Sequence, residues 1–135
     1  VRLRVKSRRS SQNINITVLA NGGAESPKPC IVVDEEVAGK LGLWPSDSFK
    51  LHHVEEASSI SEAYVIEESV ELELLGDLNE PLSKIVADLV IQKRLMEPLI
   101  TDITIDELGI QVISFSKGLW RHKNDPPSKV RRSSC

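Results

Sequence analysis

Val18-Leu19-Ala20-Asn21-Gly22-Gly23-Ala24-Glu25-Ser26 is the stretch on which the reading of this chain turns. Ile14, Ile16 and Val18 alternate with period two, so a strand delivers its last apolar residue directly into Asn21-Gly22-Gly23. Asn-Gly is a tight-turn dipeptide, and the Ser26-Pro27-Lys28-Pro29 that follows resists regular structure. The pattern is therefore strand, sharp turn, irregular exit.

Outward from the turn, the chain reads as mostly β. Residues 1–6 alternate apolar and basic and form a half-exposed strand that can pair with 14–18. Residues 31–33 are a short buried strand. Asp34 is a helix N-cap with Glu35 and Glu36 in the first turn, and Gly42 is the left-handed stop. Trp44-Pro45-Ser46-Asp47 turns the chain into a strand at 49–54. Residues 63–66 and 70–75 read as two further strands, and 85–91 as a buried one. A second helix starts at Thr101 or Asp102, stops at Gly109, and leads to a strand at 110–115.

One internal echo organises these elements. Asp34-Glu35-Glu36-Val37-Ala38-Gly39-Lys40-Leu41-Gly42-Leu43 matches Thr101-Asp102-Ile103-Thr104-Ile105-Asp106-Glu107-Leu108-Gly109-Ile110. Each copy is a capping residue, one helix and Leu-Gly-aliphatic, and each follows an apolar strand. The expectation is two strand–helix–strand units related by a pseudo-twofold.

Composition sets the outer bounds. A chain of 135 residues with 40% hydrophobic and 27% charged residues fits one globular domain with a real core. No apolar run reaches the roughly 18–20 residues that span a bilayer, and the opening residues are unlike a signal peptide. A cytoplasmic protein without membrane association is expected. The two cysteines, Cys30 and Cys135, lack metal-ligand spacing, so a buried thiol at Cys30 and no disulfide are expected. Charge is uneven: residues 1–9 carry five bases and no acid, 117–135 carry six bases and one acid, and 10–116 carry six bases and 19 acids. Without interleaved aromatics these basic ends read as solvated or as paired with the acidic middle, and nucleic acid is not an expected partner. Residues 124–135 read as a basic, disordered tail. His52 and His53 are adjacent on a strand and point to opposite faces, so no metal site is expected there. No cofactor motif is present.

Taken together, the turn and the repeated helix resemble the retropepsin-like, single-lobe aspartic proteases over about residues 12–122. The resemblance rests on the Asn21 segment, on Val37 to Leu43, and on Leu99 to Ile110. Trp44-Pro45 and Lys117-Gly118-Leu119-Trp120-Arg121 are similar to uncharacterised prokaryotic members. It implies an acid-protease-like single-lobe β-barrel with two short helices over residues 1–123. It also implies a homodimer built through strands near the termini and the Asn21-Gly22-Gly23 loops, and a flap from residues 55–68. In that family each lobe gives one Asp, and the two carboxylates share a proton and a water. Here Asn21 stands at the position of the Asp, and Gly22 at that of a Thr or Ser. Gly22, Gly23, Ala24 and Glu25 complete the candidate binding turn.

An amide neither accepts a proton at neutral pH nor holds a shared one. The expectation is a pseudoenzyme: a non-proteolytic homodimer that binds peptide or serves a structural role. A weak or altered aspartic endopeptidase is the first alternative. The second is a swapped-hairpin DNA-binding regulator of the antitoxin type, which residues 31–51 resemble through strand, short helix, Leu-Gly-aliphatic and turn.

Overall fold

The computed structural model describes residues 1–45, 50–55 and 60–133. The alternating 1–6 stretch becomes β1 (Arg2–Ser7), which pairs antiparallel with β2 (Asn13–Thr17). After Val18 the chain runs through β3 (Leu19–Ala20) into the Asn21 turn, then β4 (Cys30–Val33) and α1 (Glu35–Lys40). β5 (Lys50–Glu55), β6 (Ile60–Leu75) and β7 (Pro81–Gln92) follow, then β8 (Leu99–Ile100) and α2 (Asp102–Leu108). β9 (Ile110–Ser114), β10 (Leu119–His122) and β11 (Arg131–Arg132) close the chain. The fold is mostly β with two short helices, and none of the helices described is long and apolar enough to cross a membrane.

The main sheet runs β2-β1-β6-β7-β4-β8-β3, with β5 added beside β6. Its two end strands belong to one continuous segment, so the sheet curls back toward itself. The switch occurs at Val18, whose N–H donates to the Val1 carbonyl at 2.8 Å, while the next N–H, from Leu19, donates to Pro98 at 2.9 Å. Leu3, Val5, Ile31, Leu72, Leu89 and Ile100 are fully buried within the curl. Burying such a side chain contributes roughly 1.5–3 kcal/mol.

The pseudo-twofold expected from the echo has a direct counterpart in strand pairing. Val32 and Leu99 each stand two residues before their helix cap, and they are paired across the antiparallel β4–β8 ladder. The local axis therefore passes through that pair. On either side of it β4 lies parallel to β7 and β8 lies parallel to β3. Both helices stop, and α1 starts, by the chemistry read from sequence. The Asp34 carboxylate accepts the Val37 N–H at 3.0 Å, and Gly42 (φ +70) and Gly109 (φ +78) provide the left-handed stops.

Two expectations change, and a third falls partly outside the described residues. Residues 63–66 and 70–75 belong to one strand, β6, broken by a bulge between Ile66 and Val70. Glu68 there has φ +48, its N–H donates to Asp88 at 2.8 Å, and the Ser69 hydroxyl donates to the Ile66 carbonyl at 2.8 Å. The Glu67-Glu68-Ser69 triplet interrupts the pattern without ending the strand. Second, within residues 124–135, read as a disordered tail, Arg131–Arg132 form β11 and pair with β10 in a three-stranded sheet of order β11-β10-β9. Arg131 is buried, and its guanidinium donates to both Asp125 carboxylate oxygens at 2.7 and 2.9 Å. A composition-based reading misses such a clasp because one buried ion pair outweighs local polarity. Third, the expected flap segment includes residues 56–59, and the turn after Trp44 includes residues 46–49. Both lie outside the described residues, as does Cys135; the flanking strands β5 and β6 pair as an antiparallel hairpin.

The basic N-terminal strand pairs with the acidic middle. Glu73, itself buried, lies 2.6 Å from the Lys6 ammonium and 3.7 Å from the Arg4 guanidinium. Those cations, the Lys6 contact foremost, hold the Glu73 carboxyl below its usual range.

Candidate functional site

The Asn21 turn sits where β3, β8 and α2 meet. β3 and β8 are only two residues long and run parallel, with Leu19 opposite Leu99 and Ala20 opposite Ile100. This pairing carries on one step, because the Asn21 N–H donates to the Ile100 carbonyl at 3.1 Å. The Gly22 N–H then turns back to the Ala20 carbonyl at 3.1 Å, and the Ala24 N–H closes on the Asn21 carbonyl at 3.0 Å. Gly23 holds φ +96, a conformation that opposes any side chain. Asn21 and Ala24 are half-buried, while Gly22, Gly23 and Glu25 are exposed.

The start of α2 pins the turn from below. The Asp102 N–H donates to the Ala24 carbonyl at 2.8 Å, and the Asp102 carboxylate accepts the Gly23 N–H at 2.9 Å. Thr101 occupies the N-cap position without making a capping bond. Its hydroxyl instead sits 2.7 Å from that of Ser26 and 2.9 Å from that of Thr104, which accepts the Cys30 N–H at 2.9 Å. These hydroxyls tie both ends of the 21–30 loop to one helix. Burial pushes the Cys30 thiol up, which suits an unreactive packed sulfur.

The five candidate residues are therefore one structural unit, with differing surroundings. Among the described residues none hydrogen-bonds the Asn21 carboxamide, and Glu25 has neither an ion pair nor a hydrogen bond. Gly22 is covered: a Cβ there would lie 2.7 Å from Cζ and 2.9 Å from Cε1 of Phe115. Phe115, in the turn between β9 and β10, is nevertheless 66% exposed. A glycine at position 22 and this ring are matched, since a Thr or Ser there would displace it.

The local twofold gives the turn a mate. Val33 and Ile100 each precede a helix cap by one residue, and their parallel partners are Ile91 and Ala20. Gln92 therefore corresponds to Asn21. The Leu95 N–H donates to the Gln92 carbonyl at 3.3 Å, as Ala24 does to Asn21, and Arg94 has φ +65 where Gly23 has +96. The two turns share a backbone form without sharing a motif.

Phe115 and the tether through Asp102 escape a reading of sequence. Asp102 is legible as a helix-start residue, but its reach to Gly23 depends on β3 and β8 being neighbours. Nothing in the local sequence of Phe115 marks its contact. Among the described residues no group of His, Cys, Asp and Glu is arranged to hold a metal ion. Paired backbones of His52 with Ala63 and His53 with Glu62 fix those two histidines on β5.

The turn also bears on chemical ageing. Asn-Gly deamidates when the glycine nitrogen attacks the side-chain amide carbon. Here the Gly22 N–H is directed at Ala20, and the turn is bonded on both sides, so attack requires it to open. Asn21 is expected to remain an amide in folded protein held for days, and to convert once the chain is denatured. Peptide mapping by mass spectrometry of the two samples checks this.

No protein-family model matches the chain, and no curated protein matches it.

Proposed function

We propose that the chain is an aspartic-protease-like protein without proteolytic activity, acting as a homodimer that binds peptide or fills a structural role. One observation carries the reading: the Asn21 turn is pinned to α2, within one half of a local twofold, and bears a carboxamide with no partner among the described residues. Acid-protease chemistry needs a base and an acid at that position, and the amide supplies neither. A carboxamide does offer an N–H donor beside a carbonyl acceptor, the complement of a peptide group. The acid-protease-like single-lobe β-barrel is part of this proposal; its support is the curled sheet and the paired repeat units.

The endopeptidase alternative has no carboxylate at position 21 to support it. The swapped-hairpin alternative needs residues 31–51 to form a unit of their own, yet β4 lies between β7 and β8 while β5 pairs with β6. The test has two parts. Sedimentation of the purified chain is expected to give a dimer, and wild-type protein is expected to cleave no peptide of a mixed library between about pH 3 and pH 8. Cleavage by the unaltered chain would end the non-proteolytic reading.

A further inference from the structure

Beside the Asn21 turn, between the start of the chain's main sheet and the β9-β10-β11 sheet, lies a pocket of about 190 Å³. Val18, Leu19, Ala20, Val112, Leu119 and Trp120 make its walls largely apolar. A dry cavity of about 150 Å³ suffices for benzene, so one phenyl ring fits. Glu97 is the one charged side chain of the lining, and among the described residues no cation pairs with it. The fitting occupant is thus an aromatic or aliphatic side chain with a cation close by.

This chain displays that combination at the pocket's own rim. Phe115 is largely exposed, and two residues on Lys117 is exposed with no carboxylate within ion-pair distance among the described residues. The turn that carries them is rigid. The Gly118 N–H donates to the Phe115 carbonyl at 3.2 Å, the Lys117 N–H donates to the Ser114 hydroxyl at 3.3 Å, and Gly118 has φ +65. The contact with Gly22 fixes the place of the ring, itself part of the pocket lining, before any partner arrives, which lowers the entropy cost of association. Knob and hole on one surface are the requirement for an isologous twofold contact.

We infer that the pocket is filled by Phe115 of the partner subunit, with Lys117 of the partner subunit against Glu97, each copy filling the other. The inference rests on the homodimer reading above and names the residues that make the dimer. Each Asn21 turn then lies beside a seat completed by the other copy.

Sedimentation equilibrium of the full chain at low salt tests it. Phe115→Ala is expected to weaken self-association by about 30-fold or more, as loss of a central aromatic anchor does. Glu97→Lys and Lys117→Glu are each expected to weaken it about tenfold by setting like charges face to face. The double reversal Glu97→Lys with Lys117→Glu restores opposite charges and is expected to return affinity to near the wild-type value. Circular dichroism of each variant separates lost association from lost folding. A dimer that none of these substitutions weakens overturns the seat while leaving the homodimer standing. A chain that stays monomeric at high concentration overturns both. Singles that weaken the dimer without rescue by the double overturn the Glu97–Lys117 pairing.

Discussion

An Asn21→Asp variant is expected to cleave peptides with an acid optimum, at least about a thousandfold faster than the wild-type chain. The two side chains are nearly isosteric, and the Asn21 carboxamide makes no hydrogen bond within the described chain, so the exchange breaks nothing in the turn. The backbone bonds to Ile100, Ala20 and Ala24 and the tether through Asp102 remain. If two turns face each other in the dimer, the new carboxylates cannot both ionise at close range, and one becomes base while the other stays acid. Mass-spectrometric detection of cleaved library peptides, from about pH 3 to pH 8, is the measurement. A verified Asn21→Asp dimer that cleaves nothing at any of these values would sink the acid-protease reading of the turn. Phe115 over Gly22 bears on the size of the gain, because the ring occupies the space a bracing hydroxyl would need.

Arg131→Leu is the second large effect, expected to lower folding stability by ~3 kcal/mol, since it strands a buried carboxylate without its partner. Arg131 and Asp125 are both nearly inaccessible, and Asp125 also accepts the His122 N–H at 2.8 Å. The guanidinium lies 5.6 Å from the Trp120 ring centroid, so the variant also removes a cation–π contact. Chemical denaturation measures the loss, and hydrogen exchange is expected to show β10 and β11 opening first. The same pair sets a pH dependence. Hydrogen bonds from Arg131, then the His122 backbone, hold the Asp125 carboxyl well below the usual carboxylate range. A depressed folded-state value stabilises the fold above the unfolded carboxylate value of about 3.9, and that stability fades as pH falls below it. Wild-type protein is expected to lose stability in that acid window more steeply than Arg131→Leu. Parallel slopes in the two proteins would assign the acid sensitivity elsewhere.

What local chemistry decides was legible in the chain itself. Asp34 caps α1, Gly42 and Gly109 stop the helices, and alternation at 1–6 makes β1, because each depends on neighbours within a few residues. The ten-residue echo was enough to anticipate a twofold, since a shared pattern of polar start, one helix and Leu-Gly stop takes a shared local form. It did not tell which strands would meet on the axis. Pairing of Val32 with Leu99, and the Gln92 turn as mate of Asn21, follow from registers between residues far apart in sequence.

The polar triplet at 67–69 and the polar run from 124 misled for a common reason. Polarity signals exposure, as at Glu67, Glu68 and most of 124–130, but not a break in structure where a distant partner waits, and here Asp88 and Arg131 are such partners. The opening segment divides along the same line. Its amide, its glycines and its place at the end of a strand belong to the sequence alone. That Asp102 grips Gly23, that Phe115 stands against Gly22, and that the carboxamide finds no partner among the described residues were decided only when β3 settled beside β8. Backbone turns are local, but the groups that hold or cover them are brought by the sheet.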